Sequence, residues 1–425
     1  MINPGLERIT RLLTHLPCQN YPTIHVAGTN GKGSVCAYLT ALFQNHANTT
    51  TSSPFQRIGR FNSPHLITPG DSITINNIPV ASFARVSQHI ALIDERENIG
   101  ASDFELLTAT AFTAFAEEKV SLGIVECGMG GRLDATNVLV RPIVTVITRL
   151  GFDHQAFLGS TPEAIAMEKS GIMRKDVPCV VDSTSTADFI AEIKRQAASK
   201  GTHITLTRST PPDQSDEFQS TINHLDKRTI DTLHELPETT VSNMWTAYLT
   251  YKHALSHFSL PLPLGTSIPA LFNAMMQTPN PGRYQKLSLQ RLTGRIKPII
   301  LDGAHNTQAF AALVQQVSRI RGGDGTTPVT WVLASTDSRD PRELLALIPA
   351  QDRIVATTFT PVQDMPWVRP FAVQQWRDIL KGKREVWRVD EAAEAALSTA
   401  VKLAGEEPLV VAGSLYLVAD VLRAV

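Results

Sequence analysis

Residues 23 to 44 constrain the fold of this chain more than any other stretch. Thr23-Ile24-His25-Val26-Ala27 is a short, apolar, β-branched run, and Gly28-Thr29-Asn30-Gly31-Lys32-Gly33-Ser34 follows as a three-glycine turn. Val35, Leu39, Leu42 and Phe43 then fall close to one face of a helix. The pattern predicts strand, phosphate loop and helix. Glycines let backbone N–H groups turn toward an anion, and the helix N-terminus adds its positive end. Lys32 adds a full charge, and Ser34 a hydroxyl suited to Mg²⁺. The usual loop has four residues between its first two glycines. Here two separate Gly28 from Gly31, and Gly33 stands between Lys32 and Ser34, giving the variant G-x-x-G-K-G-S. A turn that only joined strand to helix would not need the lysine and the hydroxyl together.

A length of 425 residues suggests two or three domains, and 43% hydrophobic against 19% charged residues supports a large core. The net charge of −1 gives no whole-chain case for nucleic-acid or membrane binding. Cys18, Cys36, Cys127 and Cys179 form no C-x-x-C pair, so neither a zinc site nor a disulfide framework is suggested. The first residues lack an apolar signal core, and no run of 18 apolar residues occurs. The expectation is a monomeric cytoplasmic protein, with mitochondrial association left open.

Helical spacing of Leu6, Ile9, Leu12 and Leu13 predicts a helix before the first strand. Residues 45 to 56 are polar and read as a surface loop, and Asp71-Ser72-Ile73-Thr74-Ile75-Asn76-Asn77 as strand and turn. Residues 104 to 116 suit a helix capped by Ser102 or Asp103, and residues 163 to 171 a helix with Gly171 at its C-cap. Strands are predicted at 122–127, 143–148 and 177–181, then at 298–301, 329–334, 353–356 and 408–411. Residues 205 to 240 read as a peripheral insertion. Strands alternating with helices indicate α/β domains on mostly parallel sheets, with functional groups at the carboxyl ends of strands. Asn280-Pro281-Gly282-Arg283 is a break, which divides the chain into domains 1–285 and 286–425.

A phosphate loop with Mg²⁺ calls for hard oxygen ligands. Ser34 is one candidate. Glu126 is another, because an acid ending an apolar strand is costly unless it meets a cation. Ser63 and His154 lie in loops placed to reach the same point. Asp134 is either a turn residue or a ligand contact. Lys169 beside Glu168 reads as a solvated ion pair, and Arg283 and Asp302 as hinge residues or nucleotide contacts.

Several blocks occur in a telling order. They are His25 through Ser34, Ser63-Pro64-His65-Leu66, Phe104-Glu105-Leu106-Leu107-Thr108, Glu126-Cys127-Gly128-Met129-Gly130-Gly131-Arg132-Leu133-Asp134-Ala135-Thr136-Asn137, Asp153-His154, Glu168-Lys169-Ser170-Gly171-Ile172, Pro281-Gly282-Arg283 and Asp302-Gly303-Ala304-His305-Asn306. This series resembles the folylpolyglutamate synthase and dihydrofolate synthase branch of the Mur ligase superfamily. Asp71 through Asn77 and Asp364-Met365-Pro366-Trp367 look most like its fungal monofunctional dihydrofolate synthases.

The resemblance implies an N-terminal P-loop ATPase domain holding the pterin site, and a smaller Rossmann-like C-terminal domain that carries glutamate ligation. It implies ATP-dependent joining of L-glutamate to 7,8-dihydropteroate through an acyl phosphate. The alternatives are extension of a folate glutamyl chain, or a nucleotide-driven binding module. By position, Gly28, Thr29, Asn30, Gly31, Lys32, Gly33 and Ser34 match the ATP loop, with Arg283 and Asp302 as further nucleotide contacts. Ser34, Ser63, Glu126 and His154 match metal ligands for Mg²⁺. Lys169 matches a lysine that is carbamylated in many members, and Lys32, His154, Lys169 and His305 form the implied catalytic set. Ser102, Phe104, Leu133, Asp134 and Ala135 fall where relatives hold dihydropterin. Three positions depart from the family pattern. Asp71-Ser72 stands for Glu-Arg, Asn280 for a tryptophan, and Thr246 for an asparagine that touches ATP.

Overall fold

The computed structural model describes residues 5–50, 53–207, 221–262, 267–321, 325–362, 365, 368–381 and 387–425. Asp364, Pro366 and Trp367 of the fungal-type motif therefore lie outside the described residues, as do residues 208–220 of the polar stretch. The chain divides into two compact units. One runs through His65 and continues over Gly70–Pro279; the other comprises Leu66–Pro69 and Asn280–Val425.

In the first unit the strands are β1 Thr23–Ala27, β2 Ile58–Phe61, β3 Ile73–Ile75, β4 Ile78–Pro79, β5 Leu122–Glu126, β6 Pro142–Ile147, β7 Cys179–Val181 and β8 Ile204–Leu206. They form one sheet in the order β4-β3-β2-β5-β1-β6-β7-β8. All neighbours are parallel except β2 with β3 and β3 with β4. Alternation sorts the side chains. Ile24 and Val26 join Leu122, Ile124, Val144 and Val146 on a face packed by Lys32–Thr49 and Glu238–His257. Ala27, Cys127 and Ile147 face the other way, toward Ile165, Phe189 and Ile193. Burial on both faces explains why β1, β5 and β6 read as continuous apolar runs. Each buried Val or Ile contributes about 1.5–3 kcal/mol, so the central strands are held firmly where the loops leave them.

The second unit contains β9 Gln285–Leu287, β10 Ile299–Leu301, β11 Thr330–Leu333, β12 Arg353–Ala356, β13 Trp387–Val389 and β14 Leu409–Ala412. Their order is β13-β12-β11-β14-β10-β9, parallel except for β9. Its own core lies on both faces, around Trp331, Phe310 and Trp376 on one and Leu301, Val411 and Leu417 on the other.

Three local expectations are corrected. The helix Lys32–Thr49 runs into the polar stretch expected to be a loop, because buried His46 hydrogen-bonds the Tyr251 hydroxyl at 2.8 Å and anchors the last turn. Gly171 is not a C-cap. The helix Pro162–Lys169 ends in a 3-10 turn, and Gly171 is small because a Cβ there would collide with the backbone of Arg132. The polar stretch after β8 is not wholly peripheral, since Leu225 and Leu233 enter the main core. Ser102 caps Asp103–Glu117 in a reciprocal capping box with Glu105.

Candidate active site

The phosphate loop leaves β1 at the carboxyl edge of the sheet. Gly28 has φ +150° and Gly31 φ +94°, and a Cβ at either would strike a side chain, Thr148 at Gly28 and Asn243 at Gly31. These two positions need glycine twice over, for conformation and for space. Gly33 does not: its Cβ would sit 3.5 Å from Glu126 in ordinary contact. The loop is tied down by the chain after β6. Thr29 and Asn30 N–H groups both donate to the Arg149 carbonyl at 3.1 Å, and Thr29 Oγ1 donates to the Gly151 carbonyl at 3.0 Å. A small pocket beside the loop is lined by Asn30, Gly31, Arg149, Asp182, Thr239 and Asn243.

Lys32 and Ser34 open the following helix, where N–H groups lack intrahelical partners. Lys32 Nζ lies 3.9 Å from Glu126 Oε1. The other Glu126 oxygen accepts from Asn62 Nδ2 at 2.7 Å and from the Ser63 N–H at 3.4 Å. Adjacent parallel strands β1 and β5 thus bring loop, cation and acid together. Ser34 is buried, and Ser63 Oγ is buried without a hydrogen-bond partner. The oxygen donors Ser34, Ser63 and Glu126 are hard and suit Mg²⁺, which keeps several ligands from water and phosphate. Among the described residues no three His, Cys, Asp or Glu gather for a metal, so a softer, protein-caged ion does not fit here. His154 is exposed, with φ +51°, at the start of Gln155–Leu158.

Lys169 corrects the solvated-pair reading. Glu168 pairs with Arg132 at 2.8 Å, whereas Lys169 is only 3% exposed and donates to the Gly28 carbonyl at 2.8 Å. Burial first, and the nearby Lys32 charge second, hold its pKa down to about 7. Gly131 packs against the Glu168 and Lys169 carbonyls, so the second glycine-rich loop and the lysine are one packed assembly.

That loop contains Asp134, which the structure shows to be a turn organiser. Its carboxylate accepts from Met129 N–H at 2.8 Å, from Thr136 N–H at 3.0 Å and from Thr136 Oγ1 at 2.5 Å. Behind it, buried His25 Nε2 lies 2.8 Å from Thr136 Oγ1, and burial drives the His25 pKa down to about 3, so the ring is neutral. Phe104 stacks on Phe61 and covers Gly128, and Ala135 packs in a cluster that Phe104 also joins. Phe104 and Leu133 stay half-buried beside them. The Ser102 hydroxyl is spent on its helix cap.

In the second unit, Asp302 at the end of β10 accepts from Tyr284 N–H at 2.7 Å and Ala304 N–H at 2.8 Å. Burial raises its carboxyl pKa, while Arg283 opposes that rise. His305 Nδ1 donates to the Gly303 carbonyl at 2.7 Å, and Asn306 caps Thr307–Ser318. Thr246 is fully buried and its hydroxyl donates to the Ser242 carbonyl at 2.8 Å, so it is spent within its own helix. Asn243, one turn earlier, is the amide that meets the loop. Sequence reasoning missed Asn62, Asn243, Thr148 and the His25–Thr136 pair. Asn62 adjoined Ser63, and His25 and Thr136 stood inside quoted blocks without a role, whereas Asn243 and Thr148 lie far along the chain from the loop they meet.

A family model for the Mur ligase middle domain matches residues 26–233, and one for the C-terminal domain of dihydrofolate synthetase matches residues 285–424. The chain is 34% identical to a probable dihydrofolate synthetase of Schizosaccharomyces pombe, and 32% to the dihydrofolate synthetase of Saccharomyces cerevisiae. Each alignment covers 99% of this chain and 98% of the relative. Among solved structures, Mycobacterium tuberculosis folylpolyglutamate synthase complexed with ADP and AMPPCP superposes with TM-score 0.78 at 25% identity, over 99% of this chain and 95% of that one. A bifunctional folylpolyglutamate synthase/dihydrofolate synthase with Mn, AMPPNP and L-glutamate bound gives 0.78 at 25%, over 100% and 95%.

Proposed function

The chain belongs to the dihydrofolate synthase and folylpolyglutamate synthase family of Mur ligases, and from that membership we propose that it joins L-glutamate to 7,8-dihydropteroate at the cost of ATP. The observation that carries the reading is the meeting of Lys32, where the glycine loop after β1 enters its helix, with Glu126 at the end of β5. A cation and an acid so placed suit phosphoryl transfer, where catalysis is mostly positioning and charge stabilisation.

In this reading the loop N–H groups and Lys32 hold the ATP phosphates. The acceptor carboxylate attacks the γ-phosphorus, giving an acyl phosphate and ADP. The amine of L-glutamate then attacks the acyl carbon, phosphate leaves, and an amide remains. Ser34, Ser63 and Glu126 would hold Mg²⁺, with His154 as the fourth expected ligand. When bound, that ion neutralises phosphate charge and polarises the transferring group. Lys169, neutral in part near pH 7, is in the form that captures carbon dioxide as a carbamate. Arg283 and Asp302 are proposed nucleotide contacts, and His305 a catalytic one. Phe104, Leu133 and Ala135 offer the apolar wall for a pterin ring, beside the loop that Asp134 shapes.

The test is product analysis after incubation with dihydropteroate, L-glutamate and Mg-ATP. Dihydrofolate, ADP and phosphate in equal amounts are expected. Product from a glutamylated folate alone would assign chain extension instead. Phosphate release that ignores both acceptor and amino acid would leave a nucleotide switch.

A further inference from the structure

Along β2, β3 and the residues that flank them runs a strip of buried polar atoms without a hydrogen bond. The register sets Arg60 opposite Thr74, and the Asn62 N–H donates to the Ser72 carbonyl, so these four side chains share one face of the sheet. It is the face of Glu126, because Asn62 Nδ2 reaches that carboxylate. β2 lies parallel to β5 with Arg60 beside Ile124, one side-chain repeat from Glu126. Arg60 Nε, Ser63 Oγ, Ser72 Oγ and Thr74 Oγ1 are all buried without a hydrogen bond. Burial works against the Arg60 cation, while Glu126 and the Cys36 thiol lie near enough to favour it.

Arg60 is half-buried, but its Nε is shut from solvent, and a guanidinium N–H held away from water is costly unless paired. Glu126 is not its hydrogen-bond partner at Nε, since Lys32 flanks one carboxylate oxygen and Asn62 holds the other. What the strip lacks is an acceptor that a planar fork and two hydroxyl groups can share. A carboxylate has that shape and charge.

We propose that Arg60, with Ser72 and Thr74, is the recognition point for the carboxylate of the acceptor, holding it beside the Glu126 site before phosphoryl transfer. The proposal rests on the ligase reading above. Arg60 then sets specificity for an acid over its neutral analogues, and it keeps contact with the acyl oxygen that becomes the carbonyl as the acyl phosphate forms.

The test compares binding of dihydropteroate with binding of its carboxamide, in the wild type, Arg60→Met and the double variant Ser72→Ala, Thr74→Val. Removal of a charge-assisted contact should cost about 10- to 100-fold in acid binding. Carboxamide binding and the KM values for ATP and L-glutamate should stay level, so the acid-to-amide ratio collapses in Arg60→Met. The double variant, which keeps the charge, should lower the ratio less. Equal losses for acid and amide would make Arg60 a structural residue and overturn the proposal. So would an unchanged ratio, or a KM rise confined to L-glutamate or to ATP. If Arg60→Met does not fold, the ratio in the double variant decides alone. A wild type that binds the acid selectively yet forms no amide would sink the ligase reading while leaving the carboxylate site standing.

Discussion

At the scale of single residues, the proposed reaction rests on two charges and one amine. Lys32→Ala and Glu126→Ala should each lower turnover by at least about a thousandfold while the far-ultraviolet dichroism stays native, as expected for groups acting on developing charge. Substantial turnover in either variant would remove that residue from the site. Lys169 adds a pH signature. Its folded pKa is about 7, below the ordinary value of 10.5. Between those values the unfolded chain binds more protons, so this site makes stability rise with pH. The penalty is fully present below the folded pKa and disappears toward the unfolded one. It amounts to at most on the order of 5 kcal/mol. Lys169→Met should therefore gain stability relative to wild type near about pH 7, and lose that advantage by about pH 10, in urea unfolding. A pH-independent difference would show that the amine is not depressed. Intact-mass measurement in bicarbonate checks the modification directly: a gain of one carbon dioxide, lost on acidification and absent in the methionine variant, is expected.

At the scale of elements, the glycine loop separates conformation from composition. Gly31→Ala must place a Cβ into Asn243 at φ +94°, whereas Gly33→Ala meets only an ordinary contact. Gly31→Ala is expected to cost on the order of 1–3 kcal/mol of stability and to abolish nucleotide binding. Gly33→Ala should bind a nucleotide analogue within about threefold of wild type. Calorimetric titration of both variants distinguishes them, and equal losses would mean that the loop needs all three glycines. The same contrast shows how much was legible. Strand, loop and helix followed from local pattern, because β-branched runs and glycines act on their own neighbours. Asn76 and Asn77, both left-handed, form the two-residue turn between β3 and β4 that the motif suggested. Lys169 was misread because its burial depends on Gly28 and Gly131, which lie far off in sequence. The contacts of Asn243, Thr148 and His25 were hidden for the same reason: each acts on a loop it meets only after folding.

At the scale of the whole molecule, each unit closes its own core, and each core contains tryptophan. Trp245 is buried in the first unit, and Trp331 and Trp376 in the second. Arg321 and Asp352 form a buried ion pair at 2.5 Å, and Asp352 also accepts from the Trp331 indole at 2.8 Å. A ligand that binds only folded protein stabilises the unit holding its site, by about 2.7 kcal/mol at a hundred times its dissociation constant. A variant keeping Trp245 as its sole tryptophan should therefore show an unfolding midpoint that climbs with Mg-AMPPNP concentration. Lys32→Ala in that background should erase the climb without shifting the ligand-free midpoint by more than a few degrees. A midpoint that ignores the nucleotide, in a variant that still turns over ATP, would place the triphosphate away from the β1 loop.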